Sequence, residues 1–289
     1  MSNDFTNEDF SSMQSLMEDE AKQGTFVSPY WKPANEGTYK IRLLTPLKQF
    51  GEKLFYEKHK LHYINNRAYF CLNQTLEDKN GNVHEAESCP ICAKSKQLYS
   101  ISQKGSEEWT IAGQLRAKDR YVSRIIVRGK KTKDGQDDEA TPEFWEFGTK
   151  IHGYFFDQIK LGEVGNFLSL KEGRDYNLVK KGSGRNTDYS GSCLSMQTSP
   201  IFTDSEKLKK LLAALPNMKY SQLVEFVSAD EMKQALADFS GENSNDGFNQ
   251  SAPAPVDNLD PMSQSAESVN PSPAQSDADK SIDDLLNMI

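Results

Sequence analysis

Cysteine and histidine are scarce in this chain: 289 residues hold four of each. So few thiols exclude a disulfide-braced secreted scaffold. So few imidazoles leave acid–base catalysis short of players. No stretch reaches the roughly 18 consecutive apolar residues of a membrane span. The opening "MSNDFTNEDFSSMQSLMEDE" is acidic and lacks the basic-then-apolar order of a secretion signal. There is no Gly-Lys-Ser/Thr phosphate loop, no Gly-x-Ser-x-Gly elbow and no His-Glu-x-x-His helix. Reduced thiols in a cytoplasmic setting are the expectation, and there clustered cysteines more often bind metal than form disulfides.

Apolar residues, at 36%, fall below the usual share of a compact domain, so part of the chain is not expected to fold. The net charge of −8 is unevenly distributed. Residues 1–23 carry one basic residue against six acids, and residues 240–289 one against nine. The middle, 24–239, has 32 basic against 27 acidic residues, a net of +5. A basic body between acidic ends is the signature that matters.

Residues 240–289 hold one aromatic, Phe248, and five prolines among many Ser, Asn and Asp. Such a segment cannot bury enough apolar surface to offset its ordering entropy, and we expect disorder. Its last stretch, "SIDDLLNMI", differs: Ile282, Leu285, Leu286 and Ile289 recur at helical spacing beside Asp283 and Asp284. It reads as a short acidic-apolar recognition motif on a flexible leash.

Short strands rich in β-branched and aromatic residues are expected at 39–46, 54–64, 121–127, 143–147, 176–182 and 191–199. "TKIHGYFFDQIKL" (149–161) reads as a helix with Ile151, Tyr154, Phe155 and Ile159 on one face. A second helix opens at the acidic cap Asp204 and stops at Pro216, and a third opens with Ser228 and Glu231 at capping-box spacing. The order suggests an α+β chain built on a small β-barrel with added helices.

Three of the four cysteines fall within residues 71–92. "SCPIC" presents Cys89 and Cys92 from one tight turn, and Cys71 adds a third sulfur. A structural zinc site needs four ligands, so a histidine must complete it. His62 ranks first, because "YINNRAYF" can fold back as a hairpin; His59 ranks second and His84 third. A redox dithiol at Cys89 and Cys92 would leave Cys71 and the histidines without a role. A closed Cys₃His set implies one structural ion rather than a catalytic one. Cys193, within a strand, reads as a core thiol.

"RAKDRYVSRIIVRGKKTK" (116–133) carries eight basic residues and one acid. In its strand Tyr121, Ser123, Ile125 and Val127 share one face, and Val122, Arg124 and Ile126 the other. Arg42, Lys181 and Arg185 add charge elsewhere, the last two in a Gly/Ser loop that ends near Tyr189. Basic grooves interleaved with aromatics are how proteins hold single nucleic-acid strands without reading sequence. Trp109, Tyr121, Trp145, Tyr189, Tyr63 and Tyr69 are candidate rings.

In order, "YKIRLLTP", "SCPICAK", "RAKDRYVSRIIV", "FWEFGTKI", "YNLVKKGSGRNTDYSG" and the terminal "IDDLLNMI" resemble the single-stranded-DNA-binding, helix-destabilising proteins of T-even-type bacteriophages. The resemblance implies an OB-fold-like core with a zinc subdomain of three cysteines and one histidine, at about 55–105 within a binding core of 24–239. It implies DNA contacts from Arg42, Arg116, Lys118, Arg120, Tyr121, Trp145 and Tyr189, to which the charge pattern adds Arg124, Lys181 and Arg185. It assigns Cys71, Cys89 and Cys92 to zinc. It also implies that the acidic tail, through Ile282, Asp283, Asp284, Leu285 and Leu286, contacts replication, recombination and repair proteins in the cytoplasm of an infected bacterial cell. Three features depart from the family. The cysteine and histidine spacings differ, so the fourth ligand stays open. The N-terminal segment is acidic where the family has a basic stretch for self-association on DNA. Glu146 replaces a position that tends to be basic. A zinc-stabilised RNA-binding regulator is the alternative reading.

Overall fold

Ten residues of the basic stretch, Lys118–Val127, form the strand on which the rest is organised. The computed structural model describes residues 28–240. Along the chain these are β1 (Tyr30–Trp31), β2 (Gly37–Leu43), β3 (Tyr56–Ile64), β4 (Arg67–Phe70), β5 (Leu76–Glu77), β6 (Val83–His84), α1 (Pro90–Ile101), α2 (Glu107–Leu115) and β7 (Lys118–Val127). There follow β8 (Glu143–Phe147), α3 (Thr149–Leu161), β9 (Gly173–Lys180), β10 (Cys193–Ser199), α4 (Ser205–Ala214) and α5 (Ala229–Ser240). This is the mixed α+β architecture expected from the sequence.

One edge of β7 pairs first with β3, from Lys118 to Ser123, and then with β2, from Ile125 to Val127. Its other edge pairs with β8. The remaining path runs β2–β9–β10, with the hairpin strand β4 on β3. From Tyr121 to Val127 every residue of β7 is buried. Alternation therefore divides its side chains between two cores. Tyr121, Ile125 and Val127 enter an aromatic core with Trp145, Phe147, Phe155, Phe167 and Tyr176. Val122 meets Phe144, Tyr220 and Leu223 on the opposite side, and Ile126 meets Leu208 and Leu211 of α4.

A second core surrounds Cys71 and Cys89, where Ile64, Leu72, Ile91 and Leu115 pack against Val227, Met232 and Ala235. Here α5 docks, opened by the anticipated capping box. The Ser228 hydroxyl accepts from the Glu231 amide, and the Glu231 carboxylate accepts from the Ser228 amide.

Two side-chain expectations change. Ile159 is exposed, because the contact of α3 with the core ends at Phe155 and its last turn buries nothing. Cys193 is exposed rather than a core thiol, while its neighbour Leu194 points inward.

Candidate metal centre and binding surface

The turn Asn65–Asn66, with φ of 51° and 59°, folds β4 back onto β3. Both positions need the left-handed region, which asparagine tolerates, so the sequence itself sets this hairpin. It places Cys71, whose amide donates to the Lys60 carbonyl, beside His62. Cys89 caps α1, with Pro90 in the first helical position, and Cys92 follows in the first turn. The Asn73 side chain accepts from the Cys89 amide and holds the cap against the loop after β4.

The four donor atoms of His62, Cys71, Cys89 and Cys92 lie within 4.8 Å of one another. His62 Nε2 is 3.4 Å from Cys89 Sγ and 3.5 Å from Cys92 Sγ, and the Cys71 and Cys92 sulfurs are 3.5 Å apart. Tetrahedral zinc with sulfur at about 2.3 Å spaces its ligand atoms by roughly 3.5–3.8 Å, so the donor set fits a Cys₃His ion. His62 Nδ1 lies 2.7 Å from the Leu115 carbonyl. A proton there, donated to that carbonyl, leaves Nε2 bare toward the sulfurs, the arrangement of a histidine poised for a metal. Hydrogen bonds from Cys71 and Cys92 hold the Cys89 thiol well below its ordinary range.

Neither rival histidine reaches the cluster. Buried His59 lies edge-on to Phe70, and burial lowers its pKa to about 4. His84 binds Asp78 and stacks on Phe226 at 3.6 Å.

The candidate DNA contacts scatter. Arg42, 1% exposed, donates to Asp175 at 2.8 Å and to the Ser199 hydroxyl at 2.7 Å. Arg124, also 1% exposed, pairs with Glu52, donates to the Met218 carbonyl and lies over the Tyr220 ring. Trp145 and Tyr121 are buried in the aromatic core, and Tyr189 is half-buried against it. Arg42, Arg124, Trp145 and Tyr121, all candidate DNA contacts from the sequence, are thus engaged in packing and internal pairing. Arg116, Lys118 and Lys181 are exposed. Arg120 is held by the Tyr63 hydroxyl at 3.0 Å and by Glu146 at 3.4 Å. The Arg185 side chain and residues 282–286 lie outside the described residues.

The two faces of the β3–β7 ribbon differ electrostatically. Lys118 and Arg120 share theirs with Tyr63 and with carboxylates that burial pushes upward, Glu57 to about 7 and Glu146 in the same direction. Tyr56, Lys58 and Lys60 project from the other face, beside Tyr121 and His152 of α3. There Asp119 pairs with Lys58 at 2.7 Å, while Lys60 is exposed and in no ion pair among the described residues; exposed Lys150 of α3 lies near Asp188 instead, whose carboxyl it helps to lower. The period-two spacing of Tyr56, Lys58 and Lys60 in "YEKHK" is the sequence signal for this row.

No helix among the described residues is long and apolar enough to cross a membrane. A family model described as "gp32 DNA binding protein like" matches residues 35–239. A comparison with curated proteins returned no match.

Proposed function

The chain belongs to the gp32-like DNA-binding proteins, and on that premise we propose that it is a non-catalytic, sequence-independent binder of single-stranded DNA with one structural zinc ion. The observation that carries the reading is the family match over 35–239, nearly the whole described body. Phosphates would follow the face with Lys58 and Lys60, because the opposite face gathers Glu52, Glu57 and Glu146 around its arginines. In replication, recombination and repair such a protein coats and protects exposed strands. Zinc, held by His62, Cys71, Cys89 and Cys92, would supply the cross-link that fixes β3, the loop after β4 and α1 together.

Titration of a labelled mixed-sequence oligonucleotide and its duplex at several salt concentrations tests this. A strong preference for the single strand, weakening with salt, is the expected result. Lys60→Ala should weaken binding to every sequence alike and flatten the plot of log affinity against log salt by about 0.7. Equal binding of duplex, or tighter binding of single-stranded RNA, would overturn the assignment.

The tail, residues 240–289, carries one basic residue against nine acids. It would compete with DNA for the lysine face and carry partner contacts in Ile282–Leu286. Deleting it is expected to tighten DNA binding severalfold at moderate salt and abolish recruitment of replication partners. Unchanged DNA affinity after the deletion would remove the competitor role.

A further inference from the structure

Tyr121 has the composition of a stacking platform, an aromatic inside a basic stretch, yet it is only 5% exposed. What covers it is another ring. The His152 imidazole lies 3.9 Å from it at an interplanar angle of 12°, and Phe147 lies behind at 5.8 Å and 19°. The three rings form one stack that starts in the core and ends at the surface on His152. Tyr56 fixes that last ring from the side, perpendicular to it at 87°, with its hydroxyl 2.9 Å from Nε2. The second face of His152 meets no other aromatic ring among the described residues.

We propose that His152, not Tyr121, is the residue on which a nucleobase stacks, so that the base becomes the fourth layer of the Phe147–Tyr121–His152 column. The inference rests on the single-strand reading above and names one contact within it. Three observations carry it. First, the ring is pre-oriented by Tyr56 and Tyr121, so little rotamer freedom remains to be lost on binding. Second, it is only partly buried and belongs to the first turn of α3, at the surface end of the ring contact. Third, Lys58 lies on the same ribbon face, with its ammonium 5.8 Å from the Tyr121 ring centroid. A cation for a phosphate thus stands beside a ring for the base, the pairing that sequence-tolerant single-strand binding uses. Burial, with Lys58 nearby, holds the imidazole below its usual range, against an opposing pull from Asp119. The ring is therefore neutral at pH 7.5, and stacking rather than charge is its contribution there.

The test compares two labelled oligonucleotides of equal length at pH 7.5, oligo(dT) and a strand of abasic sites, against wild type, His152→Ala and His152→Phe. The abasic strand keeps the phosphates and removes every base. His152→Ala is expected to weaken oligo(dT) binding roughly tenfold and leave abasic binding within about twofold. His152→Phe should retain oligo(dT) affinity within about threefold, since every base has a π-face that accepts an aromatic neighbour. Equal loss on both strands for His152→Ala would assign the residue a role in holding the fold or the charge, and would overturn the proposal. So would no loss on either strand, or a His152→Phe protein as weak as His152→Ala. Wild-type protein that holds neither strand would instead sink the single-strand reading itself.

Discussion

Cys89→Ser is expected to remove the metal and lower the thermal midpoint by roughly 8–16 °C. Metal analysis should fall from about one zinc per wild-type chain to a small fraction of that. The size of the effect follows from where the donors come from. His62 is on β3, Cys71 follows β4, and Cys89 and Cys92 open α1. Through Leu115, the end of α2 is tied to the same imidazole. One ion would therefore cross-link three segments and, through His62, hold the end of a fourth, at the centre of the cluster of Ile64, Tyr69, Leu72, Ile91 and Leu115 over which the face of α5 is laid. Structural zinc contributes folding free energy outright. Losing even about 4 kcal/mol of it corresponds to a shift of roughly 8–16 °C for a domain of this size. Without a metal, three thiols and an imidazole within 4.8 Å must share their protons in a buried space.

Proteolysis should then begin within 71–92, while the strands around β7 resist longer because their aromatic core contains none of the ligands. Cys193→Ser is the control: its thiol is exposed, and the midpoint should not move. A Cys89→Ser protein that kept zinc, or kept its midpoint, would remove the structural-metal reading. Reversible formation of a disulfide between Cys89 and Cys92 in metal-free wild type, without loss of stability, would support the redox alternative.

Local chemistry explains which features the sequence made legible. The Asn-Asn turn, the Cys-Pro-Ile-Cys cap and the Ser228–Glu231 box are each set by a few adjacent residues, and the fold uses all three. The α+β order follows from the same kind of signal. The helices α1 and α2 were harder to read because few of their residues are fully buried and one of those is polar. They bury only Ile91, Ser95, Ala112 and Leu115, with the Ser95 hydroxyl donating to the Ala112 carbonyl. Ser106, followed by Glu107 and Glu108, was an available start signal for α2, and its hydroxyl does accept from the Trp109 amide. The arginines illustrate the opposite limit. Arg42 is buried because Asp175 meets it from 133 residues away, and Arg124 because Glu52 does so from 72. Nothing local separates such a cation from one that faces a ligand. His152 escaped for the same reason: its partner rings come from β3 and β7.

Arg124→Met should therefore act on stability, at about 3–5 kcal/mol, and leave DNA affinity within about twofold at temperatures where the protein is folded. The guanidinium is almost wholly enclosed, with Tyr220 beneath it, and its Nε has no partner even in the native pairing. Removing it strands Glu52, which would keep only the Leu47 amide at 2.8 Å. A largely enclosed carboxylate without its cation is the costly outcome, more than the lost attraction itself. Adding Glu52→Gln retains an acceptor for Leu47 while deleting the charge, so the double variant should recover about half of the loss.

The pH dependence provides a second reading of the same site. Burial, then the neighbouring Glu52 and Glu77, raise Glu57 to about 7, and Arg124 opposes them. The sign follows from proton counting. Between the unfolded carboxyl value and about 7 the folded chain holds the extra proton, so this group makes stability fall as pH rises through that window. Without Arg124, Glu57 binds its proton more tightly, and the fall should extend to higher pH. Urea midpoints from pH 5 to 8 would therefore diverge between wild type and Arg124→Met, with the smallest gap at pH 5. A variant of unchanged stability that had lost DNA binding tenfold would reverse the assignment and return Arg124 to the DNA-binding surface.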